Sequence, residues 1–301
     1  MRRHPFHRLL TATLLGTAVA PSLSTAQPTA APVVVRADWL QPRLREPGVA
    51  LLHVANARAE YDAGHIPGAR YLPFPSIAVS SGGLGTQMAP VAVLDSILES
   101  LGVTDDSHVV LYGQALAAAR AFVTMEYVGL KGRVSVLDGG IDAWRESGRP
   151  ISHDAAAPTR GSFTPHVDSS VVVDHAWIQA RGAATQVKIL DARAPEFYLG
   201  YSPGQMPRAG HIPHASNVPF SSLTTELTQL RDEGTVRKLF QGAAVAAGDT
   251  VVTYCHVGLQ ASLLYLSARR LGHVARIYDG SFEDWSKRPE LPLTNRAAAR
   301  Q

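Results

Sequence analysis

The chain has 301 residues, 46% hydrophobic and 18% charged, an ordinary globular composition that excludes a disordered, collagen-like or coiled-coil protein. Its formal charge of +3 equals the contribution of Arg2, Arg3 and Arg8, which lie in an acid-free stretch of 26 residues; the rest of the chain is formally neutral, so no basic stripe remains for nucleic acid. A single cysteine, Cys255, excludes an intrachain disulfide and a zinc site with several thiolates.

Residues 1–8 are basic, Leu9 to Ala20 are apolar, and Ser24-Thr25-Ala26 supplies small residues. This is the three-part pattern of a secretory signal peptide over 1–26, cleaved near Ala26-Gln27. It predicts a periplasmic or secreted protein. The apolar run is too short to cross a bilayer as a mature helix, and no longer one follows, so no membrane span is expected in the mature chain.

Apolar, β-rich runs then alternate with helical patterns. Ala50–Ala55 reads as a buried strand. Val91, Leu94, Leu98 and Leu101 share one helix face, and Val109–Tyr112 and Val134–Leu137 read as further strands. The stretch from His153 to Ser170 is rich in Ala, Pro, Thr, Ser and Gly and reads as a linker. Beyond it, Lys188–Ala192, Thr250–Tyr254 and Ala275–Tyr278 are expected strands. Val236, Leu239, Phe240, Ala243 and Ala247 share a helix face, and another helix spans about Leu259–Leu271. Three blocks recur in the same order. YDAGHIPGA at 61–69 matches PRAGHIPHA at 207–215, VVLYG at 109–113 matches VVTYC at 251–255, and DGGIDAW at 138–144 matches DGSFEDW at 279–285. The offsets of 146, 142 and 141 mean two copies of one unit rather than a solenoid. Strands alternating with helices predict the α/β class, each copy a parallel sheet flanked by helices on both faces.

In such sheets, sites form beyond the carboxyl ends of strands, and Cys255 stands just past the predicted strand ending at Tyr254. The loop that follows, with the N-terminus of the next helix, can direct backbone N–H groups at an anion; both effects favour a thiolate. Gly258 supplies the freedom such a turn needs, and His256 and the Ser262 hydroxyl are candidate donors. His65 and His211, in the two His-Ile-Pro turns, are expected to set loop geometry, and Trp144 and Trp285 to pack. His53, His108, His166, His175 and His273 show no metal-ligand spacing. Arg120 lies in the helix after Gly113, either between the copies or on the surface.

The chain resembles the rhodanese family, specifically its tandem-domain sulfurtransferases. The resemblance rests on Tyr61-x-x-x-His65-Ile66-Pro67-Gly68-Ala69 and Gly210-His211-Ile212-Pro213 near the start of each copy. The end signatures are Asp138-Gly139-Gly140 with Trp144 and Asp279-Gly280 with Trp285, and Cys255 to Gln260 stands where the family has its active-site loop. It implies a non-catalytic rhodanese-like domain at 33–152, a linker at 153–170 and a catalytic domain at 171–295; Gly113 occupies the cysteine's place in the first. It also implies that Cys255 is the catalytic nucleophile and that His256, Val257, Gly258, Leu259, Gln260, Ala261 and Ser262 form the persulfide- and anion-binding loop. The reaction implied is that of a thiosulfate sulfurtransferase: sulfane sulfur passes through a Cys255 persulfide to cyanide or a thiol, a thiol-bearing protein included, by ping-pong covalent catalysis without metal or cofactor.

The departures concern the donor. The cationic side chains that follow the cysteine in thiosulfate enzymes are replaced by His256 and Val257, and the glycine–serine pattern of mercaptopyruvate enzymes is absent. Asp191-Ala192-Arg193 matches the family's Asp-x-Arg, while Phe197 stands where a second arginine is found. Arg193 is therefore the sequence's candidate for substrate binding, its alternative role being a salt bridge to Asp191. A phosphatase needs an arginine closing the loop; none occurs before Arg269. The alternatives to a thiosulfate enzyme are a sulfane-sulfur carrier or redox-sensing module and a 3-mercaptopyruvate sulfurtransferase.

Overall fold

Unbroken apolar runs are strands covered on both faces, and the computed structural model, which describes Met1 and residues 31–226 and 228–298, builds each copy around them. The proposed signal peptide lies outside the described residues, Met1 apart. The first copy contains β1 (Val34–Val35), β2 (Val49–Ala55), β3 (Arg70–Pro73), a hairpin of β4 (Ala78–Ser81) and β5 (Leu84–Met88), then β6 (His108–Gly113) and β7 (Val134–Leu137). The second contains β8 (Val172–Val173), β9 (Val187–Asp191), β10 (Ala215–Asn217), β11 (Thr250–Tyr254) and β12 (Val274–Tyr278). The sheets have matching strand orders, β1-β7-β6-β2-β3 and β8-β12-β11-β9-β10, and every pairing in both is parallel. The expected strands fall within one residue of the observed ones. The short edge strands and the hairpin were not legible, because two to five residues of mixed polarity carry too little pattern.

Helices cover both faces of each sheet. Ala115–Met125 and Leu259–Arg270 pack against each other, and one apolar core joins Leu52, Val54 and Leu111 of the first sheet to Leu190, Val251 and Ile277 of the second. The outer faces carry separate clusters around Trp144 and Trp285, whose indole N–H groups donate to the carbonyls of Pro150 and Pro292 at 2.8 and 2.9 Å. Both tryptophans are thus packing residues. The helix expected through Ala247 is Glu233–Gly242; Ala244 at φ +60 turns the chain instead. Residues 153–170 hold no helix or strand but are strapped to the first copy. Thr164 N donates to Asp105 Oδ1 at 2.7 Å, and His166 and Asp168 donate to the carbonyls of Val128 and Tyr127 at 3.0 and 2.9 Å. No helix among the described residues is long and apolar enough to cross a membrane.

Candidate active site

Cys255 is the first residue beyond β11, the middle strand of its sheet, and the register sets Tyr254 beside Asp191 on β9. The loop is shorter than the expected six residues: it is Cys255–Gly258, since Leu259 already begins the helix that also holds Gln260, Ala261 and Ser262. Gly258 caps that helix at φ +91, and a Cβ there would lie 2.9 Å from the Asp279 carbonyl, so only glycine fits this left-handed turn. The turn lets Gly258 N–H donate to Cys255 Sγ at 3.1 Å. The N–H groups of Ala261, Val257 and Gln260 also pull the thiol's pKa down, so the groups that favour a thiolate here are backbone ones.

The thiol is 1% exposed. Burial raises its pKa, outweighing the N–H groups of Ala261, Val257, Gly258 and Gln260, which pull it down. The expectation of a lowered pKa fails because desolvation is the larger effect. Ser262 is also corrected. Its hydroxyl donates back to the Gly258 carbonyl at 3.0 Å and so braces the turn rather than facing the sulfur.

Arg193 does not reach into the site. It is 1% exposed, and its Nε and Nη2 are spent on Asp191, at 3.0 and 2.6 Å for the closest oxygens, with Nη2 also donating to the Gly210 carbonyl at 2.8 Å. Its guanidinium lies over Phe282, 3.9 Å from the ring centroid. This is the salt-bridge role, holding the floor beneath Tyr254 and Phe282. His256 is half-buried and meets Phe197 edge-on, centroids 4.6 Å apart; burial and the nearby Arg193 charge lower its pKa, which disfavours a cation. Phe197, which replaces an expected arginine, therefore forms an apolar contact with the first residue of the loop after the cysteine.

Two contributors were not assigned to the site from the sequence, one of them left open between the interface and the surface and the other not anticipated. The first is Arg120, fully buried, which pairs with Asp279 across the two copies and donates through Nη2 to the Thr86 carbonyl at 2.5 Å. It belongs to the interface rather than the surface. Its signal was available: one arginine within the apolar helix ALAAARAFVTM. The second is the β4–β5 hairpin, which lies on the copy that carries Cys255. Gly85 N donates to Glu283 Oε2 at 2.8 Å, Met88 N to Asp279 Oδ2 at 3.0 Å, and the Thr86 hydroxyl to the Val257 carbonyl within the Cys255 loop. The His-Ile-Pro turns are structural in both copies. Tyr61 stacks on His65 and Tyr198 on His211 at 3.8 and 3.9 Å, and Tyr112 and Tyr254 accept from the N–H of Ile66 and Ile212.

Two parallel sheets of one strand order, with a lone thiol above the middle strand of the second, define a duplicated α/β domain with one cysteine-centred loop. The Rhodanese-like domain family matches residues 36–147 and 174–288, and the chain belongs to it. Relatives span nearly the whole chain. The "Sulfur carrier protein TtuD" of Thermus thermophilus is 28% identical over 280 residues, 87% of this chain and 96% of its own. The thiosulfate sulfurtransferase of Azotobacter vinelandii is 27% identical over 265 residues, 87% of this chain and 97% of its own. The crystal structure of the 3-mercaptopyruvate sulfurtransferase SseA from Escherichia coli superposes with a TM-score of 0.73 at 25% identity, covering 83% of this chain and 99% of that one.

Proposed function

We propose that this sulfurtransferase takes sulfane sulfur from thiosulfate onto Cys255 and passes it to cyanide or a thiol. The observation that carries the reading is the convergence of loop N–H groups on Cys255 Sγ, with Gly258 N at 3.1 Å. The Cys255 thiolate attacks the outer sulfur of thiosulfate. A new S–S bond forms to Sγ, the bond to the sulfonate sulfur breaks, and sulfite leaves with the electron pair. The negative charge then sits on the terminal sulfur of the persulfide, where the loop N–H groups and the N-terminus of helix Leu259–Arg270 stabilise it. A nucleophilic acceptor attacks that sulfur and returns the thiolate. Cys255, His256, Val257, Gly258, Leu259, Gln260 and Ala261 are the proposed site, with Ser262 bracing it.

One observation favours a second donor. Arg120 and Arg193 are both paired and buried, and His256 is held towards neutrality, so the loop meets a donor with partial charges alone. That suits the single carboxylate of 3-mercaptopyruvate better than a dianion. The export reading rests on the pattern of residues 1–26, and N-terminal sequencing of the mature protein tests it: a start near Gln27 supports it, an intact Met1 sinks it.

The donor test compares thiosulfate with 3-mercaptopyruvate, using cyanide as acceptor and Cys255→Ser as blank. The expected result is turnover and a mass gain of one sulfur on the Cys255 peptide with thiosulfate, at a high KM. Turnover with 3-mercaptopyruvate alone transfers the assignment to the second donor. Sulfur uptake without turnover makes the protein a carrier, and activity retained in Cys255→Ser removes the nucleophile.

A further inference from the structure

Ser281 is fully buried and sits at φ +53, in the left-handed region that side-chain-bearing residues avoid. The matched position in the first copy, in Asp138-Gly139-Gly140 against Asp279-Gly280-Ser281, is Gly140 at φ +49. The left-handed backbone at this one position is thus common to both copies, and the first makes it with the residue that tolerates it. The second keeps a side chain there despite the strain, and that side chain is fully used. Its hydroxyl donates to the Tyr278 carbonyl at 2.9 Å and accepts from Cys255 N–H at 3.1 Å.

The next two residues continue the contact. Phe282 N donates to the Cys255 carbonyl and Glu283 N to the His256 carbonyl, both at 2.9 Å. Three consecutive residues therefore grip both sides of the Cys255 peptide and the one after it. The Cys255 N–H is drawn down, away from the nest, while those of Val257, Gly258, Gln260 and Ala261 are left to act on the sulfur. Among the described residues no equivalent backbone bond joins residues 141–142 to Gly113 or Gln114 in the first copy. Strain retained where a glycine would relieve it, beside the reacting atom, is characteristic of functional sites.

We infer that Ser281 is a positioning residue for Cys255: its hydroxyl anchors the Cys255 N–H and sets the register in which the remaining loop N–H groups converge on the sulfur. It touches neither donor nor acceptor. The inference rests on the proposed role of Cys255 as the nucleophile, but its test does not need a sulfur donor.

The experiment uses the full chain with Ser281→Gly and Ser281→Ala. Both remove the hydroxyl, and only glycine relieves the left-handed backbone. Three quantities are read on folded protein: the pH midpoint of Cys255 alkylation, kcat/KM with thiosulfate, and the thermal midpoint. The expected result is an alkylation midpoint moved upward in both variants and kcat/KM lowered about ten-fold in both. The glycine variant should melt above the alanine variant, because only alanine carries the strain. A variant that melts lower yet keeps the wild-type alkylation midpoint overturns the inference and leaves Ser281 a space-filling residue, and the same midpoint in either folded variant is enough to do so. If wild-type protein alkylates as expected but takes no sulfur from any donor, the sulfur-transfer reading fails while the positioning result stands.

Discussion

The two copies share strand order, His-Ile-Pro turns and tryptophan anchors, yet they part at the carboxyl edge of the sheet. In the second, four residues, Cys255–Gly258, separate β11 from the helix that follows; in the first, β6 ends at Gly113 and the helix begins at Ala115. A Cβ on Gly113 would lie 2.2 Å from the Val54 carbonyl, so the first copy has neither the loop to hold an anion nor room for a cysteine. The neighbouring strand differs too. By register His53 pairs with Tyr112 as Asp191 pairs with Tyr254, and two residues on, Ala55 stands where Arg193 completes a buried ion pair. The first copy has instead become a cover: its hairpin and Arg120 hold the Val257 carbonyl and Asp279 of the second. The second copy returns the contact, with Leu230 N on Asp138 at 2.9 Å and Gly139 N on the Thr228 carbonyl at 3.1 Å. A duplicated fold thus keeps the matched Asp138 and Asp279 at its interface while only one copy carries the cysteine.

Three changes sharpen or break this comparison. The largest effect is expected from Arg193→Ala. Removing one partner of a buried ion pair leaves the Asp191 carboxylate uncompensated, at a cost of about 3–5 kcal/mol. Thermal unfolding should show that loss, while KM for thiosulfate in the folded fraction stays near wild type. A raised KM with unchanged stability would restore Arg193 as a donor contact.

Next is Gly113→Cys. The added side chain meets the Val54 carbonyl and needs a backbone at φ +149, so a loss of about 3 kcal/mol is expected in denaturant unfolding. No second sulfur should appear by intact mass after donor treatment; a second persulfide would show that the cysteine, and not the loop, is what the first copy lacks.

The smallest effect concerns acid. Burial lowers His53 from its ordinary 6.5 to about 4, so the folded state prefers the neutral ring and the unfolded chain binds the proton first. Stability is then complete above about 6.5 and falls as the pH drops towards 4, by on the order of 2 kcal/mol between pH 7 and pH 5. Replacing His53 with leucine should flatten that limb of the stability curve, and an unchanged slope would place the acid sensitivity elsewhere. Asp191, at the matched position, offers no such basic group to the second copy.

The central strands, the helix after Cys255 and the duplication were legible because buried parallel strands are continuous apolar runs, and because three motifs repeat at nearly one spacing. Cys255 stood out for a simpler reason: there is one thiol, and it follows a strand. Arg193 was left between a donor contact and a salt bridge because a motif places a charge near a site without showing where its donors point; the structure pairs it with Asp191. A guanidinium two residues from a carboxylate at the end of a buried strand is drawn to that carboxylate, since neither charge can be left alone out of water.

The sequence by itself determined the α/β class, the two copies and which of them carries the cysteine, because these follow from local periodicity and from residue identity. Only the tertiary structure decided that the thiol lies under a hairpin from the other copy, that its pKa rises, and that Arg120 and Ser281 belong to its surroundings. Those facts depend on desolvation and on hydrogen bonds between residues 26 to 198 positions apart, as with Cys255 N to Ser281 and Gly85 N to Glu283. Local pattern carries no record of such contacts, because closing the chain over those separations is what folding itself accomplishes.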